Sequence, residues 1–270
     1  MEDSIYYDSW KEERDVLLEY NQVTLGDVNI VNILGVGIDN VNRAQAVVKV
    51  MKMIEGGGVH HVISLNPYKL HRIKSNQDLR LISSKAAMHF ASGAGLQWSA
   101  KMLRAGLKER IPLMSFLMDL VRIAEIKEYS IFIVGGRPEI AEKTFFNIRK
   151  SFPNIRIVGR HGGYFNPERE LSVVEAIRKS QADIILVGMG FPLEDKWIYK
   201  YKNEFRKAVL ISVGGSIDYI SGEVKLAPPF FMGRGLDWFY RIVARPWRIG
   251  RLFRSIFFFI QVIFSRLFSR

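Results

Sequence analysis

The chain has 270 residues, of which 48% are hydrophobic and 24% charged, a globular composition that excludes a mainly disordered protein. It has no cysteine, which excludes disulfides and zinc–thiolate sites. The net charge of +12 is uneven: residues 1–28 carry eight acidic and two basic residues, whereas residues 225–270 carry nine basic residues and one acidic residue. A basic end favours an anionic partner such as phospholipid, a phosphorylated substrate or nucleic acid.

Short apolar runs rich in Ile and Val alternate along the chain with longer segments of helical character. Runs without polar alternation are typical of strands buried on both faces of a sheet. The predicted strands are Ile30–Val36, His61–Leu65, Met88–Ala91, Ile131–Val134, Ile155–Val158, Ile184–Val187 and Val209–Val213. The predicted helices are Arg43–Glu55, Leu96–Leu107, Phe116–Lys127, Pro138–Ser151, Pro167–Ser180 and Asp195–Glu204. This order predicts an α/β fold with a doubly wound, mainly parallel sheet and helices on both faces.

Composition divides the chain into three parts. Residues 1–28 are an acidic N-terminal extension, residues 29–228 form the α/β domain, and residues 229–270 are a C-terminal appendage rich in Arg and Phe. The acidic N-terminus lacks the features of a secretory signal. The longest apolar run, Ile256–Ile260, is too short to span a bilayer.

The end of the appendage has the pattern of a basic amphipathic helix. Phe, Ile and Leu cover most of the helix, and its polar side comprises Arg251, Arg254, Gln261, Ser265 and Ser269. Such a helix is typical of the membrane interface, and a helix buried in a dimer is the alternative. We therefore expect a peripheral protein on the cytoplasmic face of the plasma membrane. Nucleic acid is not an expected partner, because no RNA- or DNA-binding motif is present.

Polar and glycine-rich stretches follow the predicted strands, where an open α/β sheet binds its ligands. Glycine lets backbone N–H groups approach an anion, and a helix N-terminus adds a favourable dipole, so a nucleotide diphosphate is the expected ligand. The sequence has no G-x-G-x-x-G opening a helix and no G-x-x-x-x-G-K-[ST], which disfavours NAD and P-loop nucleotide sites. It also has no Asp-x-Asp and no H-x-x-x-H spacing, so no metal site and no cofactor are predicted.

Several ordered segments carry a family resemblance. They are GVGIDN (35–40), IFIVGGRPEIAEK (131–143), IVGRHGGYF (157–165), ILVGMGFPLEDKWI (185–198) and VGGSIDYISGEVKLAPPFFMGRGLDWFYRI (213–242). Together they resemble the WecG/TagA/CpsF family of bacterial glycosyltransferases. The resemblance implies a Rossmann-like fold and an inverting, metal-independent hexosyl transfer from a UDP-sugar. The implied sugar is of the N-acetylmannosamine type, the acceptor is polyprenyl-diphosphate-linked, and the product enters exopolysaccharide, capsule or teichoic acid synthesis.

The chain departs from the family pattern at positions that carry the family's chemistry. Ser92 stands where the family typically has the Asp of P-D-G-x-G, its general base, and Glu194 stands where the family has the Gln of P-x-Q-E-x-W. In one hypothesis catalysis persists with a relocated base, for which the candidates are Glu194, Asp195, Asp39 and His89. In the other, the protein is a non-catalytic paralogue that binds a UDP-sugar or a partner enzyme as a scaffold in polysaccharide assembly. A helix cap for Asp39 and a core position for His89 are the favoured structural interpretations.

The predicted catalytic residues are Ser92, Asn66 and Glu194, of which Asn66 and Glu194 would orient or activate the acceptor hydroxyl. The predicted substrate-binding residues are Ser64, Gly93, Gly136, Arg137, Gly188, Gly190, Pro192, Asp195, Gly214, Gly215, Ser216, Asp218, Arg241, Arg248 and Arg251. Arg241, Arg248 and Arg251 match the family's tail arginines, which would steady the donor diphosphate. The expected partners are the UDP-sugar, the lipid-linked acceptor and the membrane surface, with a second copy or polysaccharide-assembly proteins as further candidates.

Overall fold

The structure, a computed structural model, describes residues 13–228, 230–231, 235–244 and 249–268. Its strands are β1 (Ile30–Ile33), β2 (Val36–Asp39), β3 (Val59–Leu65), β4 (Met88–Ala91), β5 (Ser130–Gly135), β6 (Arg156–His161), β7 (Ile184–Gly188) and β8 (Ala208–Ser212). Its first helices are α1 (Glu13–Asn21), α2 (Arg43–Gly56), α3 (Pro67–Ser75), α4 (Gln77–Ser84), α5 (Ala94–Met102) and α6 (Leu113–Ile126). The later helices are α7 (Pro138–Ser151), α8 (Pro167–Ser180), α9 (Leu193–Tyr201), α10 (Ser216–Ile220), α11 (Asp237–Ala244) and α12 (Ile249–Phe268).

Six strands form one parallel sheet in the order β4-β3-β8-β7-β5-β6. The central strands β5, β7 and β8 are buried along their whole length, as their unbroken apolar runs predict. The strand β6 is at an edge and is half exposed, which the apolar character of its sequence did not indicate. The prediction of a doubly wound, mainly parallel sheet is confirmed.

Alternate side chains of the strands pack against helices on opposite faces of the sheet. Ile131 and Ile133 of β5 join a core with α2, α6 and α7, whereas Phe132 and Val134 join a core with α8 and α9. A third apolar cluster, built from β1, β2 and the helices α3, α4, α5 and α12, covers the β3–β4 end of the sheet. Helices therefore lie on both faces, as predicted.

The first apolar run does not form a strand of the main sheet. Residues 30–39 form an antiparallel hairpin of β1 and β2, in which Ile33 pairs with Val36. The two turn residues have positive φ angles, 51° at Leu34 and 89° at Gly35, as a two-residue hairpin turn requires. The prediction of one strand at Ile30–Val36 is wrong, because the chain reverses at Leu34 and Gly35, and a Leu with a positive φ angle gives no sequence signal for a turn.

Two helices between β3 and β4, α3 and α4, were not predicted. Each begins after an asparagine whose side chain accepts a backbone N–H: Asn66 from Lys69 and Asn76 from Leu79, each at 2.9 Å. Asparagine caps of this kind are a sequence signal for a helix start. A similar cap at Asn42 begins α2, so the interpretation of Asp39 as its cap is wrong.

The C-terminal helix α12 packs into the α/β domain along α3 and α5. Phe258 and Val262 are fully buried in the third apolar cluster. The Phe259 ring meets Trp98 of α5 edge-on, with 5.3 Å between ring centroids, and Phe257 stacks on His71 of α3 at 6.4 Å. The helix is therefore seated on the two helices that follow β3 and β4.

The opposite side of α12 is exposed and apolar. Its exposed large side chains are Phe253, Ile256, Phe257, Ile260, Ile263, Phe264, Leu267 and Phe268. Of the predicted polar side, Arg254 is exposed, whereas Gln261 and Ser265 are half-buried beside α3. Ser269 lies outside the described residues. None of the described helices is both long enough and apolar enough to cross a bilayer.

Candidate active site

The loops that follow β3 and β4 lie side by side at the carboxyl edge of the sheet. Leu65 pairs with Ala91, so Asn66 and Ser92 follow the ends of neighbouring strands. The Ser92 hydroxyl donates a hydrogen bond to the Leu65 carbonyl oxygen at 2.9 Å, and the Ser92 N–H donates to the same oxygen at 2.7 Å. The structure therefore brings the predicted residues Asn66 and Ser92 together.

Gly93 allows these two loops to touch. A Cβ atom on Gly93 would lie 2.9 Å from the Asn66 Cβ and 3.0 Å from the Pro67 Cδ, closer than real Cβ contacts. The position therefore requires glycine for packing, whatever it contributes to ligand binding. The other residue predicted here, Ser64, is 2% exposed inside β3.

Glu194, at the start of α9, is fully buried and its carboxylate is enclosed by donors. Its Oε2 accepts hydrogen bonds from the backbone N–H groups of Gly190 at 3.0 Å and Gly214 at 2.9 Å. Its Oε1 accepts from the Lys69 ammonium at 3.3 Å. Burial raises the pKa of Glu194, while the neighbouring Lys69 opposes that rise. This carboxylate ties two loops to α3 and presents no exposed oxygen to a substrate.

Asp195, the next residue of α9, is buried in the core. Its Oδ1 accepts from the Ser212 hydroxyl at 2.6 Å and lies 3.3 Å from the His61 Nε2. Burial favours a higher pKa for Asp195, but Lys69, His61 and Ser212 outweigh it, and the pKa is lowered. With 2% exposure, Asp195 does not contact the open edge where a substrate would bind.

The backbone N–H groups predicted to hold a diphosphate are engaged within the protein. Gly136 donates to the Gly188 carbonyl oxygen at 3.0 Å, and Gly93 donates to the Leu65 carbonyl oxygen at 3.3 Å. Gly190 and Gly214 donate to Glu194, as described above. These four N–H groups therefore have acceptors within the protein, and diphosphate binding by the glycine loops stays a prediction.

The remaining predicted residues lie around the same edge. Arg137 is exposed and pairs with Glu223 at 3.3 Å. Gly215 is the N-cap of α10, and both the buried Ser216 and Asp218 lie in its first turn. Pro192 is the N-cap of α9.

The tail arginines are described only in part. Arg241 lies in α11 and Arg251 in α12, where the description covers the backbone and not the side chain. Arg248 lies outside the described residues. A further arginine of α12, Arg254, lies with its guanidinium 6.0 Å from the ring centroid of Tyr68, two residues after Asn66. The N-terminal half of α12 is therefore next to the Asn66 loop.

A cavity of about 480 Å³ opens at the carboxyl end of β6. Tyr164, which is 66% exposed, lines it together with His161, Asn166 and Arg169. These residues were not among the predicted site residues, although the glycines after β6 mark the place. An aromatic ring beside a cation and an amide suits a nucleobase and its phosphates.

Asp39 and His89, two of the candidate bases, hold the hairpin to the sheet. The Asp39 carboxylate pairs with Lys49 through Oδ1 and accepts the His89 backbone N–H through Oδ2 at 2.7 Å. The His89 Nε2 is hydrogen-bonded to the Ser83 hydroxyl at 2.9 Å. Burial lowers the pKa of His89 from 6.5 to about 4, so the ring is neutral at physiological pH. His89 is thus a half-buried histidine of β4 whose ring is hydrogen-bonded within the protein.

We expect His89 to make stability depend on pH. Because its pKa is lowered on folding from 6.5 to about 4, its contribution is complete above pH 6.5 and is lost as the pH falls towards 4. The loss amounts to about 3 kcal/mol of unfolding free energy. Urea unfolding at steps between pH 7 and pH 4.5 should show a steeper decline for the natural protein than for His89→Gln. Parallel curves would contradict this assignment.

The parallel sheet, the loops at its carboxyl edge and the cavity beside β6 define a Rossmann-like protein of the kind that binds nucleotides at that edge. The model of the glycosyl transferase WecG/TagA/CpsF family matches residues 31–270, so the chain belongs to this family of glycosyltransferases. It is 31% identical over 235 residues to the N-acetylglucosaminyldiphosphoundecaprenol N-acetyl-beta-D-mannosaminyltransferases of Staphylococcus aureus strains NCTC 8325 and COL. The matched region covers 86% of this chain and 91% of each relative.

Proposed function

We propose that the chain transfers an N-acetylmannosamine-type sugar from a UDP-sugar to a polyprenyl-diphosphate-linked acceptor in cell-surface polysaccharide synthesis. The names of the relatives support this acceptor and this sugar. The observation that carries the proposal is the seating of α12 along α3, which begins directly after Asn66. This arrangement places an exposed apolar helix face beside the predicted acceptor site.

The proposed chemistry uses few side chains. In an inverting transfer the acceptor oxygen bonds to the sugar C1 as the bond from C1 to UDP breaks. UDP leaves with the electron pair, and the proton of the acceptor hydroxyl passes to water at the open edge of the sheet. The Asn66 amide would hold the acceptor sugar, because its Oδ1 is already fixed by the Lys69 N–H. Ser92, whose proton is donated to Leu65, can accept a hydrogen bond from the acceptor hydroxyl and orient it. A serine hydroxyl does not take up a proton near neutral pH, so Ser92 is not a strong base.

The donor would occupy the carboxyl edge between the β6 cavity and the Asn66 loop. Tyr164 and Asn166 would receive the uridine, and the arginines of α11 and α12 would steady the leaving diphosphate. The exposed face of α12 would rest in the cytoplasmic leaflet, with its arginines near the headgroups. The protein is therefore proposed to be a peripheral membrane protein. The proposed transfer uses no cofactor or metal ion.

The proposal is tested by UDP release from the purified protein in detergent. The natural sequence is expected to turn over a UDP-sugar in the presence of a polyprenyl-diphosphate-linked acceptor. Ser92→Asp, which supplies a general base beside Asn66, is expected to raise kcat by about 100-fold. Activity in the variant alone would identify the natural protein as a binding subunit. That alternative is favoured by one observation, namely that Glu194, Asp195, Asp39 and His89 are all engaged in structural contacts.

A further inference from the structure

We propose that Lys69 is a positioning residue of the transfer reaction, and that its ion pair with Glu194 holds the donor-side loops in place at the carboxyl edge. The inference rests on the proposed function, since it assigns those loops to the UDP-sugar. Lys69 was not among the residues predicted from the sequence. Its importance depends on a partner that is 125 residues away along the chain.

One carboxylate joins three segments of the fold. Glu194 accepts the N–H groups of Gly190, in the loop after β7, and of Gly214, in the loop after β8. Both glycines have positive φ angles, 82° and 52°, which turn their N–H groups inward at no steric cost. Lys69, on α3, supplies the third donor at 3.3 Å. The carboxylate and the ammonium together form the loop clamp.

Lys69 also connects the loop clamp to the acceptor side. Its backbone N–H is the donor that fixes the Asn66 side chain at 2.9 Å. Its ammonium lies 5.5 Å from the ring centroid of Phe191, in the loop after β7. Position 69 therefore contacts Asn66 through its backbone N–H and the loop clamp through its side chain.

The charges of the loop clamp depend on each other because water does not reach them. The Lys69 side chain is 8% exposed and the Glu194 side chain is 0% exposed. The other ionisable groups around them are Asp195 of α9 and His61 of β3, which are paired with each other. Removing one partner of a buried ion pair leaves an uncompensated charge, whereas neutralising both partners is often tolerated. Glutamine, the family's residue at position 194, would keep an oxygen for the two glycine N–H groups.

This dependence gives a distinctive mutational pattern. Lys69→Met and Glu194→Gln, each alone, are expected to weaken UDP binding by about 10-fold or more, because the remaining charge distorts the loops. The double variant is expected to recover most of that loss. Lys69→Arg, which keeps the charge, should retain more affinity than Lys69→Met. Lys200→Met serves as the matched control, because Lys200 is an exposed lysine of α9 that pairs with Glu170.

The experiment is titration calorimetry of UDP on the full-length protein in detergent, repeated between pH 5.5 and pH 8. Protonation of Glu194 weakens the ion pair, so UDP affinity of the natural protein should fall with decreasing pH more steeply than that of the double variant. Calorimetry needs no turnover, so it can succeed even if no sugar is transferred. Unchanged affinity in folded Lys69→Met, a double variant no better than either single variant, or identical pH profiles would each overturn the proposal. If the single variants do not fold, the double variant and Lys69→Arg carry the test.

Discussion

Replacing Phe253, Phe264 and Leu267 together by serine is expected to release the protein from phospholipid vesicles. These side chains are 58%, 55% and 66% exposed on the outward side of α12. Burying three such groups in lipid contributes about 6 kcal/mol, which corresponds to roughly four orders of magnitude in affinity. Co-sedimentation with vesicles containing anionic phospholipid measures the effect.

The matched control replaces exposed apolar side chains on other helices. Phe146 of α7 and Leu171 of α8 are 58% and 65% exposed, and their replacement by serine should leave sedimentation unchanged. The replaced side chains are exposed to a similar degree in the two variants, so the main difference per side chain is its location. Equal loss of vesicle binding in both would show that α12 is not the attachment surface. An unchanged triple variant would show the same.

The second large effect is expected on the inward side of the same helix. Phe258→Ala should lower the free energy of unfolding by about 3–5 kcal/mol, because Phe258 is fully buried among the side chains of α3, α4 and α5. Phe264→Ala, on the outward side, should change it by less than about 0.5 kcal/mol. Urea unfolding in detergent above its critical concentration compares the two.

The two phenylalanines also separate stability from attachment. Phe258→Ala should leave vesicle binding intact at temperatures where the protein is folded, since the outward side is unchanged. A destabilisation of Phe264→Ala equal to that of Phe258→Ala would mean that α12 is rotated relative to the arrangement described. The pair therefore tests the orientation of the helix as well as its packing.

The strands of the main sheet were predictable because strands buried on both faces have unbroken apolar sequences. Runs such as Ile184–Val187 have no polar residue and end in glycine, so their place in a parallel sheet follows from composition. The hairpin was missed because the positive φ angle of Leu34 has no sequence signal. The edge position of β6 was missed because its neighbours in space, not its own residues, determine its exposure.

The position of the candidate site was predictable from the sequence, whereas the contacts of its side chains were less so. Asn66 and Ser92 follow strands that are neighbours, so their proximity follows from the topology. The surroundings of Glu194 could not be inferred, because Lys69, Gly190 and Gly214 meet only in the folded chain. The direction of a glycine N–H depends on the backbone angles, which the sequence does not specify. The N–H groups of Gly190 and Gly214, which suggested an anion-binding site, donate to the Glu194 carboxylate.

The two apolar sides of α12 mean that the proposed membrane attachment and the folding of the domain depend on the same helix. Deleting the helix would remove the outward phenylalanines but uncover Leu70, Leu96 and Ala100, which pack with Phe258 and Val262. A soluble form therefore has to come from substitution rather than truncation. The same coupling applies during biosynthesis: a newly made chain whose α12 has not docked displays both apolar surfaces and is prone to aggregate. In the proposed function, delivery to the bilayer and completion of the domain are therefore coupled through α12.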